Sequence, residues 1–287
     1  MYIRCILMDI DGTLLDREWK LPRATSEALG RAAASGTVLA LATGRPLSAL
    51  PVELRRFEGI DYAVTSNGAA ICRVPSGDRL YGRVMSAEAV DAAMNVITGP
   101  LAEGISACEA VSQGEVYCSR VYYDAPERFG ASGRNADYVR ATRIPLDDID
   151  GFIRAHRQSL DCINFVPLPE YKKKLLETLG RKVKGVSINA GGRLIELADA
   201  ECGKEKAALR LLDMLRISPE QAAAFGDGDS DAAMLALTGA GVAVGEASDA
   251  CIAAARFRAP EGAAGVAGWI DRFVREGYVN NFEVNIL

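Results

Sequence analysis

The residues best suited to chemistry are two tight groups of carboxylates. Asp9-Ile10-Asp11-Gly12-Thr13 follows an apolar run at 2–8, and Gly226-Asp227-Gly228-Asp229-Ser230-Asp231 follows one at 222–225. Alternation along an extended strand puts Asp9 and Asp11 on one side, and the strand's end then presents both carboxylates at a single point. Gly12 lets the chain turn sharply beyond them. Carboxylates held that close repel unless a cation lies between them or one keeps its proton. In an open parallel sheet the carboxyl ends of the strands form the ligand crevice, which would bring the two groups together. Hard oxygen ligands of this kind suit magnesium, which takes one or two carboxylates, several waters and a substrate phosphate. The rival reading of Asp227, Asp229 and Asp231 is a calcium loop, which needs glycine at its sixth position and glutamate at its twelfth. Those positions are Ala232 and Thr238, so the reading fails.

Between the two groups lie Thr43-Gly44-Arg45 and Ser66-Asn67-Gly68, each after a strand-like run. A hydroxyl and a free backbone amide at such a turn are what a phosphate oxygen needs. Lys204 opens a helix, and from there a lysine reaches a phosphate as a point charge. Taken singly, these residues read equally as plain turns and a surface lysine; their weight comes from the acidic groups on either side.

The single histidine, His156, rules out a Ser/His/Asp triad or a His-rich metal site within the chain. No Gly-x-x-x-x-Gly-Lys-[Ser/Thr] sequence occurs, which argues against a P-loop nucleotidase. A net charge of −5 gives no global reason to bind nucleic acid or an anionic membrane, and Lys172-Lys173-Lys174 reads as a solvated helix face. Seven scattered cysteines without a Cys-x-x-Cys pair fit a reducing compartment rather than a disulfide framework or structural zinc. With no leader-like start and no uncharged apolar run of spanning length, the expected location is the cytoplasm.

The elements that must position these residues alternate. Apolar runs at 2–8, 37–42 and 62–65 suit buried strands, with helices expected at 23–34 and 48–57. A hairpin is expected around Pro75-Ser76-Gly77, and then the character changes to mixed strands and helices, including a helix at 170–179 and strands at 183–189 and 193–197. From Lys204 the α/β rhythm returns, with strands at 222–225 and 241–244 and a last helix near 263–275. The fold class is therefore α/β, a Rossmann-like three-layer core with a central parallel sheet, interrupted by an inserted α+β domain. The expected boundaries are 1–82 and 191–287 for the core and 83–190 for the insertion.

Together these residues resemble the haloacid dehalogenase superfamily, and the arrangement looks most like its Cof-type, sugar-phosphatase-like branch with a large α+β cap. Asp9-Ile10-Asp11-Gly12-Thr13-Leu14-Leu15 fits that family's first motif, Thr43-Gly44-Arg45 the second, Lys204 the third, and the group from Gly226 to Asp231 the fourth. The resemblance implies a magnesium-dependent phosphatase for a small phosphorylated metabolite. Asp9 would be the nucleophile that forms an aspartyl-phosphate, and Asp11 the general acid and base. Asp9, the backbone carbonyl of Asp11 and Asp227 would ligate magnesium, with Asp231 as an additional ligand or a carboxylate just behind them. Thr43, the Gly44 amide, Lys204 and Asn67 would bind phosphate.

The chain departs from the branch at Ser230 and Glu246, where asparagine is common, and at Glu205, where glycine is frequent. Lys206 competes with Lys204 for the third motif, but the downstream leucines and the distance to Gly226 favour Lys204. A phosphomutase on the same scaffold and a non-catalytic phosphometabolite sensor are the alternative functions. The substrate-selecting residues of the insertion and the oligomeric state are not legible; Arg120, Tyr122 and Tyr123 are expected in ordinary strand-and-loop roles.

Overall fold

The computed structural model describes residues 2–275. Its strands, in chain order, are β1 Cys5–Met8, β2 Val38–Ala42, β3 Ile60–Thr65, β4 Ala70–Arg73, β5 Arg79–Gly82, β6 Ser106–Ser112, β7 Glu115–Ser119, β8 Ile144–Leu146, β9 Leu160–Pro167, β10 Val186–Asn189, β11 Ile195–Asp199, β12 Ala222–Gly226, β13 Ala240–Val244 and β14 Phe257–Ala259. The chain divides into two compact units. The second comprises Arg45–Leu50 and Tyr81–Cys202, and the first comprises the rest.

The first unit is built on an eight-stranded sheet in the order β14-β13-β12-β1-β2-β3-β4-β5. β1 is Cys-Ile-Leu-Met, fully buried, and pairs in parallel with β2 on one side and β12 on the other. An all-apolar strand of this kind can sit only where both faces are covered, which places it at the sheet centre. The chain steps one way from β1 through β2 to β3 and the opposite way from β12 through β13 to β14. With right-handed crossovers, opposite steps put the connecting helices on opposite faces. Arg23–Ala34 and Ala263–Arg275 pack on one another, and Lys204–Met214, Asp229–Leu237 and Asp249–Ala254 form a separate packed series. The strand order reverses between β1 and β12, so the crevice of an α/β sheet opens at their carboxyl ends, where Asp9 and Asp227 emerge.

The expected helix at 48–57 does not form as one piece. Pro46 and Pro51 lack backbone N–H groups, and the segment is split into short turns at Leu47–Ala49 and Val52–Arg55. β14, for which no strand was expected, pairs in parallel with β13.

The second unit is α+β, with a sheet in the order β10-β11-β9-β6-β7-β8 that is antiparallel except for the β7–β8 pair. Helices Ala87–Ala102, Ile149–Ala155 and Pro169–Lys182 cover one face, burying Met94, Ile97, Ile153 and Leu179 against Ile163, Phe165 and Leu197. Because β11 pairs with β9, this unit runs to Cys202 and passes the boundary expected at 190. Of the returning core segment 191–287, residues 276–287 lie outside the described residues.

Arg120, Tyr122 and Tyr123 lie on a short helix, Arg120–Asp124, rather than on a strand and loop. Tyr122 is fully buried, edge-on to Phe129, and its hydroxyl accepts a hydrogen bond from Arg193 Nε at 3.1 Å. On the same sheet Glu109 is buried with Arg143, Nε to Oε1 at 2.8 Å, and also accepts from Asn164 Nδ2 at 3.0 Å. His156 is exposed on the helix end, stacked on Phe152. All seven cysteines are free and buried. Among the described residues, no helix is long and apolar enough to cross a membrane.

Candidate active site

β1 ends at Met8, so Asp9 is the first residue past the strand; its amide donates to the Phe225 carbonyl on the neighbouring strand at 3.0 Å. The Ile10 carbonyl then accepts from the amides of both Leu14 and Leu15, closing a tight turn with Gly12 at φ +84. The extended alternation expected for Asp9 and Asp11 is thus replaced by a turn. Asp9 is buried and Asp11 exposed. The two carboxylates still feel one another, because the charge of Asp11 is among those that disfavour ionisation of Asp9.

Asp227 enters the same space from β12. A Cβ on Gly12 would lie 2.3 Å from Asp227 Oδ2, so only glycine leaves room for that carboxylate. Thr13, fully buried, donates its hydroxyl to Asp227 Oδ1 at 2.7 Å. Asp231 reaches back from the first turn of its helix: its Oδ2 accepts from the amides of Asp227 and Gly228, at 3.2 and 3.0 Å. Gly226 makes this possible, since a Cβ there would meet the Asp231 Cβ at 2.4 Å.

Lys204 joins the two acidic groups. Its Nζ donates to Asp9 Oδ1 and to Asp231 Oδ1, each at 2.7 Å, and it is almost completely buried. Burial pulls its pKa down, but the charges of Asp9 and Asp231 and the two hydrogen bonds outweigh that, leaving it above the ordinary lysine value. For Asp9, burial dominates and pushes the pKa up to about 7, against the pull of Lys204 and with the repulsion of Asp231. Asp227 is also raised, first by burial, with the Thr13 hydrogen bond opposing. Lys206, the competing candidate, is exposed, which settles the contact with Asp9 on Lys204.

Thr43 is buried at the end of β2, and its carbonyl accepts from the Asn67 amide at 3.1 Å. Gly44 lies under the Asn67 carboxamide, where a Cβ would come within 3.1 Å of Nδ2. Ser66 and Asn67 hold left-handed conformations, φ 49 and 50, which turn the chain sharply beneath the crevice. Thr65 and Ser66 hydroxyls are buried there without a hydrogen-bond partner. Gly68 packs on the Gly203 backbone, so the Asn67 turn abuts the residue before Lys204.

The structure therefore brings together Asp9, Lys204, Asp227 and Asp231, and places Thr43, Gly44 and Asn67 against one another. Thr13 and Gly203 also position the site, though neither residue type announces a role; Thr13 lies inside the first motif, while nothing in the spacing marks Gly203. Glu246 is exposed and paired with Arg17 at 3.1 Å, which offsets its charge. Ser230 is exposed.

Asp9, Asp227 and Asp231 each offer a carboxylate oxygen, and the three lie within 4.8 Å of one another. One ammonium faces three carboxylates, an all-oxygen set short of positive charge. Such a donor set fits a hard divalent cation. Asp11 adds no carboxylate oxygen to it.

A model of haloacid dehalogenase-like hydrolases matches residues 6–270. The chain belongs to the haloacid dehalogenase-like hydrolases. It is a phosphatase of that family, of the Cof-type branch. It is 30% identical over 244 residues to the HMP-PP phosphatase of Cronobacter sakazakii, covering 83% of each chain. It is 22% identical over 265 residues to the putative phosphatase YxeH of Bacillus subtilis, covering 89% of this chain and 92% of that one. Among solved structures, the sugar phosphatase BT4131, of haloacid dehalogenase subclass IIB, superposes with a TM-score of 0.74 at 22% identity over 94% of this chain and 98% of its own. BT1666 from Bacteroides thetaiotaomicron gives 0.74 at 23% identity over 95% of each chain. The haloacid dehalogenase fold, a mainly parallel core sheet with an inserted α+β domain, is thus shared across the chain.

Proposed function

We propose that this haloacid dehalogenase-type enzyme is a magnesium-dependent phosphatase that hydrolyses a small phosphorylated metabolite, a sugar phosphate or similar, through an aspartyl-phosphate on Asp9. The observation that carries the reading is the Lys204 ammonium bonded at 2.7 Å to both Asp9 and Asp231, beside Asp227. Relatives that act on HMP-PP and on sugar phosphates support the substrate class.

Lys204 fixes Oδ1 of Asp9, so Oδ2 is the oxygen presented to phosphorus. That oxygen forms the new O–P bond while the bond to the leaving oxygen breaks, and Asp11 gives the leaving alkoxide its proton. Asp11, now ionised, takes a proton from the water that attacks the aspartyl-phosphate, and Asp9 is regenerated with release of phosphate. Thr43, the Gly44 amide and Lys204 hold the phosphoryl oxygens, and Asn67 fixes the Gly44 turn. Asp9, the Asp11 carbonyl and Asp227 would hold magnesium. Asp231 has both oxygens engaged, by Lys204 and by two amides, and serves to orient them. Bound magnesium would neutralise carboxylate charge and draw charge from the phosphoryl oxygens.

The test is phosphate release from a panel of sugar phosphates, nucleotides and an aryl phosphate, with and without magnesium, alongside Asp9→Asn. Magnesium-dependent release lost in Asp9→Asn is expected; no release from any ester would overturn the proposal. Isomer interconversion without net release would mark a phosphomutase, and ligand binding without turnover a sensor.

A further inference from the structure

The second unit holds a cleft of about 330 Å³, large enough for a small molecule. Two helices wall it. Val96 and Pro100 come from the last two turns of Ala87–Ala102, with Glu103 just past its end, and Tyr171, Lys174 and Thr178 form a stripe at i, i+3 and i+7 on Pro169–Lys182. Ile105, just before β6, Pro167 at the end of β9, and Leu175 make the interior apolar.

Each wall carries one charge that the protein leaves unmatched. Glu103 and Lys174 are exposed, and among the described residues neither charged group takes part in a hydrogen bond or an ion pair. Glu103 also stands at the carbonyl end of its helix, where the macrodipole disfavours an acid and favours a cation. Pro100 adds an acceptor to the same wall. It has no N–H, so the Val96 carbonyl, one turn back, loses the donor a helix would give it. The amides of Glu103, Gly104 and Ile105 close the helix end on the carbonyls of Gly99, Leu101 and Pro100, and none of these bonds reaches Val96. One wall therefore attracts a cationic donor and the other an anion, with an apolar floor between them.

We propose that this cleft binds a small zwitterion with an apolar side chain, of the class of the apolar α-amino acids. Its ammonium meets Glu103 and the Val96 carbonyl, its carboxylate meets Lys174, and its side chain lies on Ile105, Pro167 and Leu175. A simple amine or a simple acid satisfies one wall and leaves the other charge unanswered; a zwitterion satisfies both. The site lies within the second unit and is independent of the phosphatase mechanism above.

The experiment is isothermal titration of the full chain with L-leucine, L-methionine and L-phenylalanine, each beside its deaminated acid and its decarboxylated amine, in the parent, Glu103→Gln and Lys174→Met. For whichever amino acid binds most tightly to the parent, the acid and the amine should each bind about tenfold more weakly. The variants should then separate the two walls. Lys174→Met should weaken the amino acid about tenfold and leave the amine within about threefold of its parent value, and Glu103→Gln should weaken the amino acid equally and leave the acid within about threefold. A structural role for either residue would weaken all three ligands together. No binding of any of the three amino acids at about 10 mM overturns the inference. So does an acid or an amine that binds the parent as tightly as its amino acid, or an amino acid that neither variant weakens.

Discussion

Replacing Gly68 by alanine tests how Lys204 is held. Gly68 sits at φ +96, where a side chain costs about 1–2 kcal/mol. The added Cβ would also lie 2.2 Å from the Gly203 carbonyl oxygen and 2.6 Å from the carbonyl carbon. These are backbone atoms, so no flexible side chain can swing aside, and ordinary contact near 3.4 Å requires a displacement of about 1 Å. Lys204 is the next residue, and both of its carboxylate bonds are 2.7 Å long. A misplacement of about 1 Å in a group set for the reaction costs on the order of a hundredfold in rate. Steady-state hydrolysis of an aryl phosphate with magnesium should show kcat down about a hundredfold, with the melting temperature also reduced. Gly36→Ala is the control, because Gly36 has φ +83 but nothing within 4 Å of the point an added Cβ would occupy. It should lower the melting temperature through strain and keep kcat within about twofold. A folded Gly68→Ala enzyme with kcat within about threefold of the parent would refute the reasoning, as would an equal loss in Gly36→Ala.

Lys204→Met leaves the buried Asp9 and Asp231 carboxylates without their cation and should cost about 3–5 kcal/mol, read from the urea midpoint without magnesium; an unchanged midpoint would show that the bridge contributes nothing. Magnesium at about a hundred times its Kd should stabilise the parent by about 2.7 kcal/mol, and thermal melts of Asp227→Asn should show a much smaller gain at the same concentration. In the second unit, burial raises the Glu109 pKa, but the charge and hydrogen bond of Arg143, the Asn164 hydrogen bond and the Arg193 charge together hold it below the ordinary value of 4.5. Its ionised form therefore contributes stability that is present above about pH 4.5 and lost as the pH falls through the lower folded value. Glu109→Gln should melt earlier at pH 7, and the gap between it and the parent should narrow below about pH 4; a constant gap would rule out this linkage.

The site's acidic half was legible because chemistry left a double signature, an apolar strand ending in closely spaced carboxylates, at both Asp9 and Asp227. The buried parallel strands were legible for the same reason that they are central: unbroken apolar runs have no other place in the fold. What escaped was set by tertiary contact. Gly203 matters only because Gly68 lies against it, and the two are far apart in sequence. β14 is three residues, too short to show a period. The strand expected at 193–197 groups by its pattern with the mixed stretch although the expected boundary falls at 190, and its partner β9 could not be read there, because pairing, not composition, decides which sheet a strand joins. The split of the expected 48–57 helix was readable in principle from Pro51, whose missing N–H was outweighed by the helical spacing around it.

The central position of β1 also dictates when the enzyme can exist during its synthesis. One edge of β1 is satisfied early, by β2, whose Val38 partners Cys5. The other waits for β12, where Cys5 partners Ala222, a separation of 217 residues. Until the ribosome has released that strand, a flat apolar edge stands open to any neighbouring chain, and Asp9 has no Asp227 to face. The chain between β1 and β12 includes Tyr81–Cys202 of the second unit, so their closure is among the longest-range pairings of the fold. A ribosome stalled or a message truncated before Ala222 should therefore yield an inactive, aggregation-prone product rather than a weakened enzyme.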